Sequence, residues 1–202
     1  MSLSGFYITI GADIVGPVYA LTAPVDGDFA WINQEGATIT SSNGALFLQG
    51  PTAPGTDLRV RKKAAPATPY TITAAFIPSV IGTFTMFAGL CWRQSSDGKL
   101  VVFVVQQTGL YNVVKYNSPT AISAGYASAA QGIEGSVSGV VWLRIADDGV
   151  NRICSYSRDG ANFLPYHTVG RTDFMTADEV GFVVNTEEAY SVGMTLLSWV
   201  QA

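Results

Sequence analysis

The chain has 202 residues, of which 48% are hydrophobic and only 13% are charged, with a formal net charge of −4. This length can bury one substantial core, and β-sandwiches of this size commonly form a single domain. The charged fraction is well below the ~25% usual for globular domains, and no apolar run reaches the ~18 residues that span a bilayer. We therefore expect neither membrane insertion nor a nucleic-acid partner.

The N-terminal segment, residues 1–24, differs from the remainder of the chain. Phe6 to Ile10 alternates like a short strand, and glycines and prolines then interrupt the chain repeatedly. This pattern fits an arm or edge strand that packs on a neighbouring subunit, and it equally fits a first strand followed by a long loop. The segment lacks the basic region of a signal peptide. We divide the chain into this segment and a β-sandwich domain over residues 25–202.

Short strands and turns are predicted next. Asp26-Gly27 and Asn43-Gly44 are turn signals, and Gly50-Pro51 ends the last apolar run. The predicted strands are Phe29–Asn33, Ala37–Thr40 and Ala45–Leu48. Residues 51–69 contain four prolines and are predicted as a long loop with at most a brief strand.

The same proline-rich region contains a cluster of cations, namely Arg59, Arg61, Lys62 and Lys63. A local basic patch on an acidic protein can bind an anionic polymer. A solvated loop or edge strand that its charges keep soluble is the simpler interpretation, and we favour it.

Longer strands are predicted from Tyr70 onward. They cover Tyr70–Phe76, Phe84–Gln94, Leu100–Gln106 and Leu110–Tyr116. Asp97-Gly98 is a hairpin turn, and the apolar strand after it is predicted to be buried on both faces. Residues 117–139 are small and polar and indicate a loop or a weak edge strand.

A three-strand meander follows, with strands at Val140–Ala146, Arg152–Ser157 and Asn162–Tyr166. Its turns are Asp148-Gly149 and Asp159-Gly160, for which we expect type I′ geometry with positive φ at both central residues.

The chain ends with a predicted helical turn in residues 172–179, based on the capping box of Thr176 and Glu179. Strands over Val180–Asn185 and Val192–Val200 then close the fold. Cys91 and Cys154 each lie within a strand pattern, and we favour buried free thiols over a cross-strand disulfide.

Four groups of residues carry a resemblance to a known family. They are Phe29, Trp31 and Asn33; Gly89, Leu90, Arg93, Asp97 and Gly98; Trp142 to Ile145 with Tyr156, Ser157, Asp159, Gly160 and Phe163; and Val180, Gly181 and Phe182. In this order they resemble the concanavalin A-like lectin/glucanase superfamily, especially binding domains appended to glycosidases or found in bacteriophage virion proteins. The resemblance covers about residues 25–200 and implies an all-β jelly-roll sandwich of two antiparallel sheets, one of them concave. A fold of this kind does not by itself imply sugar binding.

The catalytic residues of that superfamily are missing. Glycosidases need two carboxylates across a cleft, and the Glu-x-Asp-x-Glu strand of the catalytic branch does not occur. Asp147-Asp148 and Glu187-Glu188 are adjacent pairs whose members point to opposite sides of a strand, so solvated turns are the better interpretation. With one histidine, His167, and no Gly-x-Ser-x-Gly or zinc motif, we expect no enzyme. The only cofactor that the resemblance suggests is calcium, which the oxygens around Asp147-Asp148-Gly149 could bind; a plain hairpin turn is favoured.

Binding residues are better represented. Trp142 and Arg144 share a face by the period of 2, and Arg93 faces away from the core if Leu90 and Trp92 face it. With Tyr156 added, the predicted carbohydrate-binding surface is Arg93, Trp142, Arg144 and Tyr156. The alternative is that Trp142 packs under a loop and the arginines pair with local acids.

Three functional classes remain open. The favoured one is a non-catalytic phage virion protein, a tail, fibre or capsid-decoration component with a lectin-like domain for host-surface polysaccharide. The others are a purely structural virion protein, and a glycan-active hydrolase or its accessory carbohydrate-binding domain. We expect a homo-oligomer, or contacts with other virion proteins, through residues 1–24. The expected location is the virion, assembled in the host cytoplasm, with an extracellular location as the alternative.

Overall fold

The computed structural model describes residues 21–53, 55–80, 86–106, 108–127, 139–186 and 190–202. Strands form nearly all regular structure in these residues, and one 3-10 turn, Asp26–Asp28, precedes the first strand. The same residues contain no helix of the length and apolarity needed to cross a membrane.

Fourteen strands follow one another along the chain. They are β1 (Ala30–Ile32), β2 (Thr38–Ser42), β3 (Ala45–Gly50), β4 (Leu58–Ala64), β5 (Tyr70–Ser79), β6 (Phe87–Arg93), β7 (Leu100–Gln106), β8 (Tyr111–Ser118), β9 (Ala121–Ala127), β10 (Val141–Asp147), β11 (Asn151–Ser157), β12 (Leu164–Gly170), β13 (Glu179–Asn185) and β14 (Val192–Gln201).

The strands form two seven-stranded sheets. Sheet A has the order β1-β4-β13-β6-β7-β8-β9, and sheet B has the order β12-β11-β10-β5-β14-β3-β2. All neighbouring strands are antiparallel. The predicted jelly-roll sandwich of two antiparallel sheets is confirmed. Most predicted strands occur within a few residues of their expected bounds, and residues 117–139 contain the weak edge strand β9.

The main core fills the space between the sheets. Alternate residues point inward, so Leu90 and Trp92 of β6 face Leu143 and Ile145 of β10, and all four are buried. At one side of this core, Phe29 packs edge-on against both Phe182 and Trp199, with ring centroids 5.0 and 5.1 Å apart. Burial of this aromatic and aliphatic area is the main stabilising contribution to the fold.

A second apolar cluster lies on the outer face of sheet A. Its buried members are Leu58, Val60, Phe87, Cys91, Leu100, Val102, Val104, Val114, Tyr116 and Val183. Strand β7 therefore contributes to both clusters, which confirms the prediction that it is buried on both faces.

Sheet A curls around this second cluster. The backbone N–H of Leu58 donates a 3.0 Å hydrogen bond to the carbonyl oxygen of Pro119. Leu58 begins β4 and Pro119 follows β8, and three strands lie between these two. Their register places the two residues at diagonally opposite corners of the five strands from β4 to β8. The corners can meet only if the sheet coils as in a small barrel, so its outer face is filled rather than open.

Two glycines permit this close approach within sheet A. A Cβ atom on Gly89 would lie 2.2 Å from the carbonyl oxygen of Phe103, and one on Gly181 would lie 2.2 Å from that of Arg61. Both contacts are with the backbone of the neighbouring strand, which cannot move aside as a flexible side chain can. The strands of sheet A can therefore coil this tightly only without side chains at these positions.

The prediction of a solvated loop at residues 51–69 is wrong for its basic part. Strand β4 lies between β1 and β13, and Arg59 and Arg61 are only 2% and 5% exposed. Each cation of β4 has an acidic partner from elsewhere in the sequence or in the preceding loop, which makes its place in the sheet possible. The pairs are Arg59 with Asp57 and Glu35, Arg61 with Asp26, Lys62 with Glu179, and Lys63 with Asp28. These cations form no free anion-binding patch.

Two local predictions also differ from the structure. Residues 172–178 form no helical turn; Glu179 begins β13, and its carboxylate binds Lys62 and Arg93 instead of capping Thr176. In the two Asp-Gly turns of the meander only the glycine, Gly149 or Gly160, has positive φ. Asn43-Gly44 is the turn with positive φ at both residues, because asparagine tolerates the left-handed region better than most residues.

The start of the described chain is tied to sheet B. The N–H of Thr22 donates to Oγ of Ser198, and the N–H of Trp199 donates to the Thr22 carbonyl, both at 2.9 Å. Residues 1–20, and with them most of the predicted arm, lie outside the described residues. Cys91 and Cys154 are both free and buried, as predicted; burial raises the pKa of the Cys91 thiol to about 12.

Candidate functional site

Trp142 and Arg144 lie side by side on the outer face of sheet B, as their spacing predicts. Strand β10 is in the interior of the sheet, so β5 and β11 flank both residues. Trp142 is opposite Ala75 and Ser157, and Arg144 is opposite Thr73 and Ser155. Small neighbours on both sides leave the long side chains of β10 standing above the sheet surface.

The guanidinium of Arg144 is held in one orientation. Its Nε donates a 3.0 Å hydrogen bond to Oγ1 of Thr73, and its central carbon lies 3.5 Å from the ring centroid of Phe163. Partial burial lowers the pKa of Arg144, although an arginine remains cationic at neutral pH. No described residue accepts a hydrogen bond from its two terminal nitrogens.

The indole of Trp142 packs against the turn between β11 and β12. A Cβ on Gly160 would lie 2.7 Å from the ring, so only glycine allows the turn to approach this closely. Asp159 fixes the turn because its carboxylate accepts hydrogen bonds from Ser157, Ala161 and Asn162, which lower its pKa. Trp142, Arg144, Gly160 and Phe163 together are called the Arg144 platform below.

Tyr156 does not belong to this surface. It is opposite Leu143 in the β10–β11 hairpin, so its side chain lies on the inner face. There its ring packs against Tyr111, with centroids 4.6 Å apart. The predicted placement of Tyr156 beside Trp142 is wrong, because the hairpin register gives the outward positions of β11 to Ser155 and Ser157.

Arg93 is also separate from the platform. It ends β6 in sheet A, and its guanidinium binds the carboxylate of Glu179, whose other oxygen accepts from Lys62 at 2.5 Å. Arg93 does face away from the main core, but on the other sheet. The structure thus brings together two of the four predicted residues, Trp142 and Arg144, and adds Phe163 and Gly160.

The acidic pair Asp147-Asp148 binds groups of the protein itself, in its own turn and at Arg171. Asp147 is 1% exposed, and its Oδ2 and Oδ1 accept hydrogen bonds from Nε of Arg171 at 2.8 and 3.0 Å. Oδ1 of Asp148 accepts hydrogen bonds from the backbone N–H groups of Val150 and Asn151. This arrangement does not fit a calcium site, because N–H donors already occupy three of the four carboxylate oxygens of the pair. Among the described residues no group of three His, Cys, Asp or Glu side chains could hold a metal. Glu187 and Glu188 lie outside the described part of the chain.

Comparison with known proteins gives fold matches only. No family model matches the sequence, and no curated protein does. A functionally unknown protein from Saccharomyces cerevisiae is 13% identical with a TM-score of 0.62, over 88% of this chain and 97% of that one. A xylan beta-1,4-xylosidase from Bacillus halodurans is 12% identical with a TM-score of 0.61, over 84% of this chain and 35% of the enzyme. The carbohydrate-binding module CBM66 from Bacillus subtilis is 10% identical with a TM-score of 0.52, over 90% of this chain and 96% of the module.

The chain has the concanavalin A-like jelly-roll fold. The resemblance inferred from the sequence motifs is confirmed at this level. An enzyme and a binding module both occur among the similar structures, so the fold is compatible with either activity.

In the described residues, the curled sheet of this concanavalin A-like fold has no open groove on its outer face. Its central positions are apolar and buried, among them Val60, Cys91, Val102 and Val183, and the contact of Leu58 with Pro119 joins its corners. A sugar therefore has no access to the centre of this face. Sheet B, whose outer face carries the Arg144 platform, is the better location for a ligand.

Sequence reasoning missed a polar cluster around Arg152, a buried arginine that points inward from β11. Arg152 is 1% exposed, and one terminal nitrogen donates to the carbonyl of Asp173 while Nε and Nη1 have no partner. Tyr126 donates a 2.5 Å hydrogen bond to the carboxylate of Asp173, and its ring lies 5.1 Å from the tilted ring of His167. Burial lowers the pKa of His167. The sequence contained one signal for this cluster. Arg152 and Cys154 are two residues apart in β11 and therefore share a face, so an arginine next to a core cysteine also points inward.

Proposed function

We propose that this chain is a non-catalytic carbohydrate-binding protein and that the Arg144 platform is its binding site. The observation that carries the proposal is the fixed guanidinium of Arg144, stacked on Phe163 and bonded to Thr73, with its terminal donors unused by the described residues. Sugars bind to aromatic side chains together with planar hydrogen-bonding groups that are already oriented, because little entropy is then lost. Trp142 and Arg144 supply this combination next to each other.

The comparisons support this proposal through the fold alone. This chain matches nearly the whole length of a carbohydrate-binding module with the same fold. The xylosidase is only 35% covered, so the similarity concerns one part of that enzyme. A binding domain of this fold is consistent with both matches.

The absence of catalysis is supported by the carboxylates. In the described part of the chain, every Asp and Glu side chain is bound by a cation or an N–H or O–H donor. Buried Asp147, for example, binds Arg171, and Glu179 binds Lys62 and Arg93. A glycosidase needs one protonated and one free carboxylate across a cleft. We expect no release of reducing ends from polysaccharides by this protein.

The test of the proposed function is binding of the full-length chain to a glycan array. Arg144→Gln should weaken the affinity for the glycans that bind by at least about tenfold, since a hydrogen bond to a charged group contributes ~1.5–3 kcal/mol. Trp142→Ala should reduce it similarly. Arg158→Gln, which removes an exposed arginine from the adjacent turn, is the matched control and should bind normally. Normal binding by both platform variants, with melting temperatures near that of the parent, would contradict the assignment.

The virion role is a further part of the proposal. It is supported by the resemblance of the quoted motifs to virion-associated domains and by the low charge of the chain, and it includes the virion as location and subunit contacts through residues 1–24. Neighbouring capsid and tail genes would favour it. Neighbouring polysaccharide-degrading genes would favour an accessory domain of a secreted hydrolase instead.

A further inference from the structure

We propose that the ligand of the Arg144 platform is an acidic saccharide whose carboxylate binds the terminal nitrogens of Arg144. This inference rests on the proposed function and specifies the class of sugar. It is carried by the charges of sheet B, by the surroundings of the guanidinium and by its geometry.

Arg144 is the one charged residue among the outward-facing strand positions of sheet B in the described residues. The neighbours of Arg144 on this face are Thr73, Ala75, Ser155 and Ser157. No described carboxylate lies within salt-bridge distance of Arg144. The closest turn acid, Asp159, directs its oxygens to donors within its own turn.

The other partly or fully buried strand arginines show how this chain normally treats such a charge. Arg59, Arg61 and Arg93 each bind a carboxylate of this chain. Arg152 is the exception among them, and it lies between the sheets with no route to a ligand in the described structure. Among the strand arginines of the described residues, Arg144 is therefore the one without a carboxylate partner that lies on an outer face, where an external carboxylate can reach it.

The energetics favour an anion over a neutral sugar. The ring of Phe163 covers one side of the guanidinium and removes water from it, so its positive charge is less stabilised by solvent. A carboxylate compensates that loss and can accept two parallel hydrogen bonds from the planar fork. A sugar hydroxyl group is a neutral acceptor and forms weaker hydrogen bonds with the guanidinium. The adjacent Trp142 ring then provides an apolar surface for the sugar ring that bears the acid.

The experiment compares ligands that differ only in charge. Oligogalacturonate and its methyl ester, and oligomannuronate and its methyl ester, are titrated into the full-length protein by calorimetry. At least one free acid should bind at least ~10-fold more tightly than its ester. Added salt should weaken the binding of the acid but not the binding of the ester. Sulfated oligosaccharides form a separate arm, because tighter binding of sulfate esters than of carboxylates would reject the carboxylate assignment.

Three variants keep the result specific to Arg144. Arg144→Gln should remove the preference for acid over ester, and Arg144→Lys should restore only part of it, because lysine retains the charge without the planar fork. Arg158→Gln should preserve the preference. Equal binding of acid and ester, an unchanged preference in Arg144→Gln, or no binding of any acidic saccharide would overturn the inference.

The two proposals fail in distinguishable ways. If neutral glycans bind on an array and Trp142→Ala abolishes that binding while acids are not preferred, the proposed function stands and the acidic class is wrong. If no glycan of either kind binds the folded protein, both are wrong.

Discussion

At the scale of single residues, the surroundings of each arginine show whether it stabilises the fold or can bind a ligand. Arg59 is buried with Asp57, with Nη2 and Oδ2 2.5 Å apart, and Asn33 donates to the same carboxylate. Arg152 is equally buried but leaves two nitrogens without partners. Arg144 lies on a surface and is stacked rather than paired. Only the last arrangement leaves donors available to a ligand.

These environments predict that replacing a buried arginine by methionine has a large effect on stability at one position and a small effect at the other. Arg59→Met should cost about 3–5 kcal/mol of unfolding free energy, because it leaves the Asp57 carboxylate partly buried and unpaired. Arg152→Met should change the stability by less than about 1 kcal/mol, because desolvation and unmet donors already offset what the buried cation contributes. Urea unfolding followed by tryptophan fluorescence measures both. A loss in Arg152→Met as large as that in Arg59→Met would show that the cluster with Asp173 and Tyr126 stabilises the fold.

At the scale of elements, the turn between β11 and β12 positions the platform. Asp159 organises the turn, Gly160 contacts the indole of Trp142, and Phe163 covers the guanidinium of Arg144. A turn that the Asp-Gly pair predicts from the sequence therefore shapes the binding surface on β10. Its geometry differs from a type I′ turn because only the glycine has positive φ.

Gly160→Ala should therefore disturb both stability and binding. The residue has φ of +76°, and the added Cβ would lie 2.7 Å from the Trp142 ring, so we expect a loss of about 1–3 kcal/mol, a shifted tryptophan emission and weaker glycan binding. Gly170→Ala is the matched control, since a Cβ there has no atom within 4 Å and should change stability by less than ~0.5 kcal/mol. Equal behaviour of the two variants would contradict the role of the turn.

At the scale of the whole molecule, the two sheets are used differently. Sheet A curls until Leu58 and Pro119 meet, and its outer face becomes a second core. Sheet B carries the Arg144 platform among small residues of β5 and β11 on its outer face, and it forms hydrogen bonds with Thr22 at the start of the described chain. Ligand binding and assembly are therefore expected on the side of sheet B.

Assembly through residues 1–24 is a prediction of the apolar character and low charge of the chain. Light scattering should show a homo-oligomer for the full-length protein and a smaller species for a chain that begins at Leu21. An oligomer should also bind a glycan-coated surface much more tightly than a monomer, because several weak sites act together. A monomer in both samples would end this prediction.

The sequence alone determined the β architecture. Alternation and turn residues are local, so β7, β10, β11, β13 and β14 are recognisable without any tertiary contact. The same period correctly placed Trp142 with Arg144 on one face, because residues two apart in a strand share a side.

The tertiary structure decided which faces meet. Arg93 and Trp142 both point away from the core, but a strand period contains no information about sheet membership, and they lie on different sheets. Tyr156 points inward because the hairpin register pairs it with Leu143. The cations of β4 belong to a strand inside a sheet because acids such as Asp26 and Glu179, distant in sequence, neutralise them. Strand propensity and period are short-range properties, whereas register, sheet order and charge pairing depend on residues that only folding brings together.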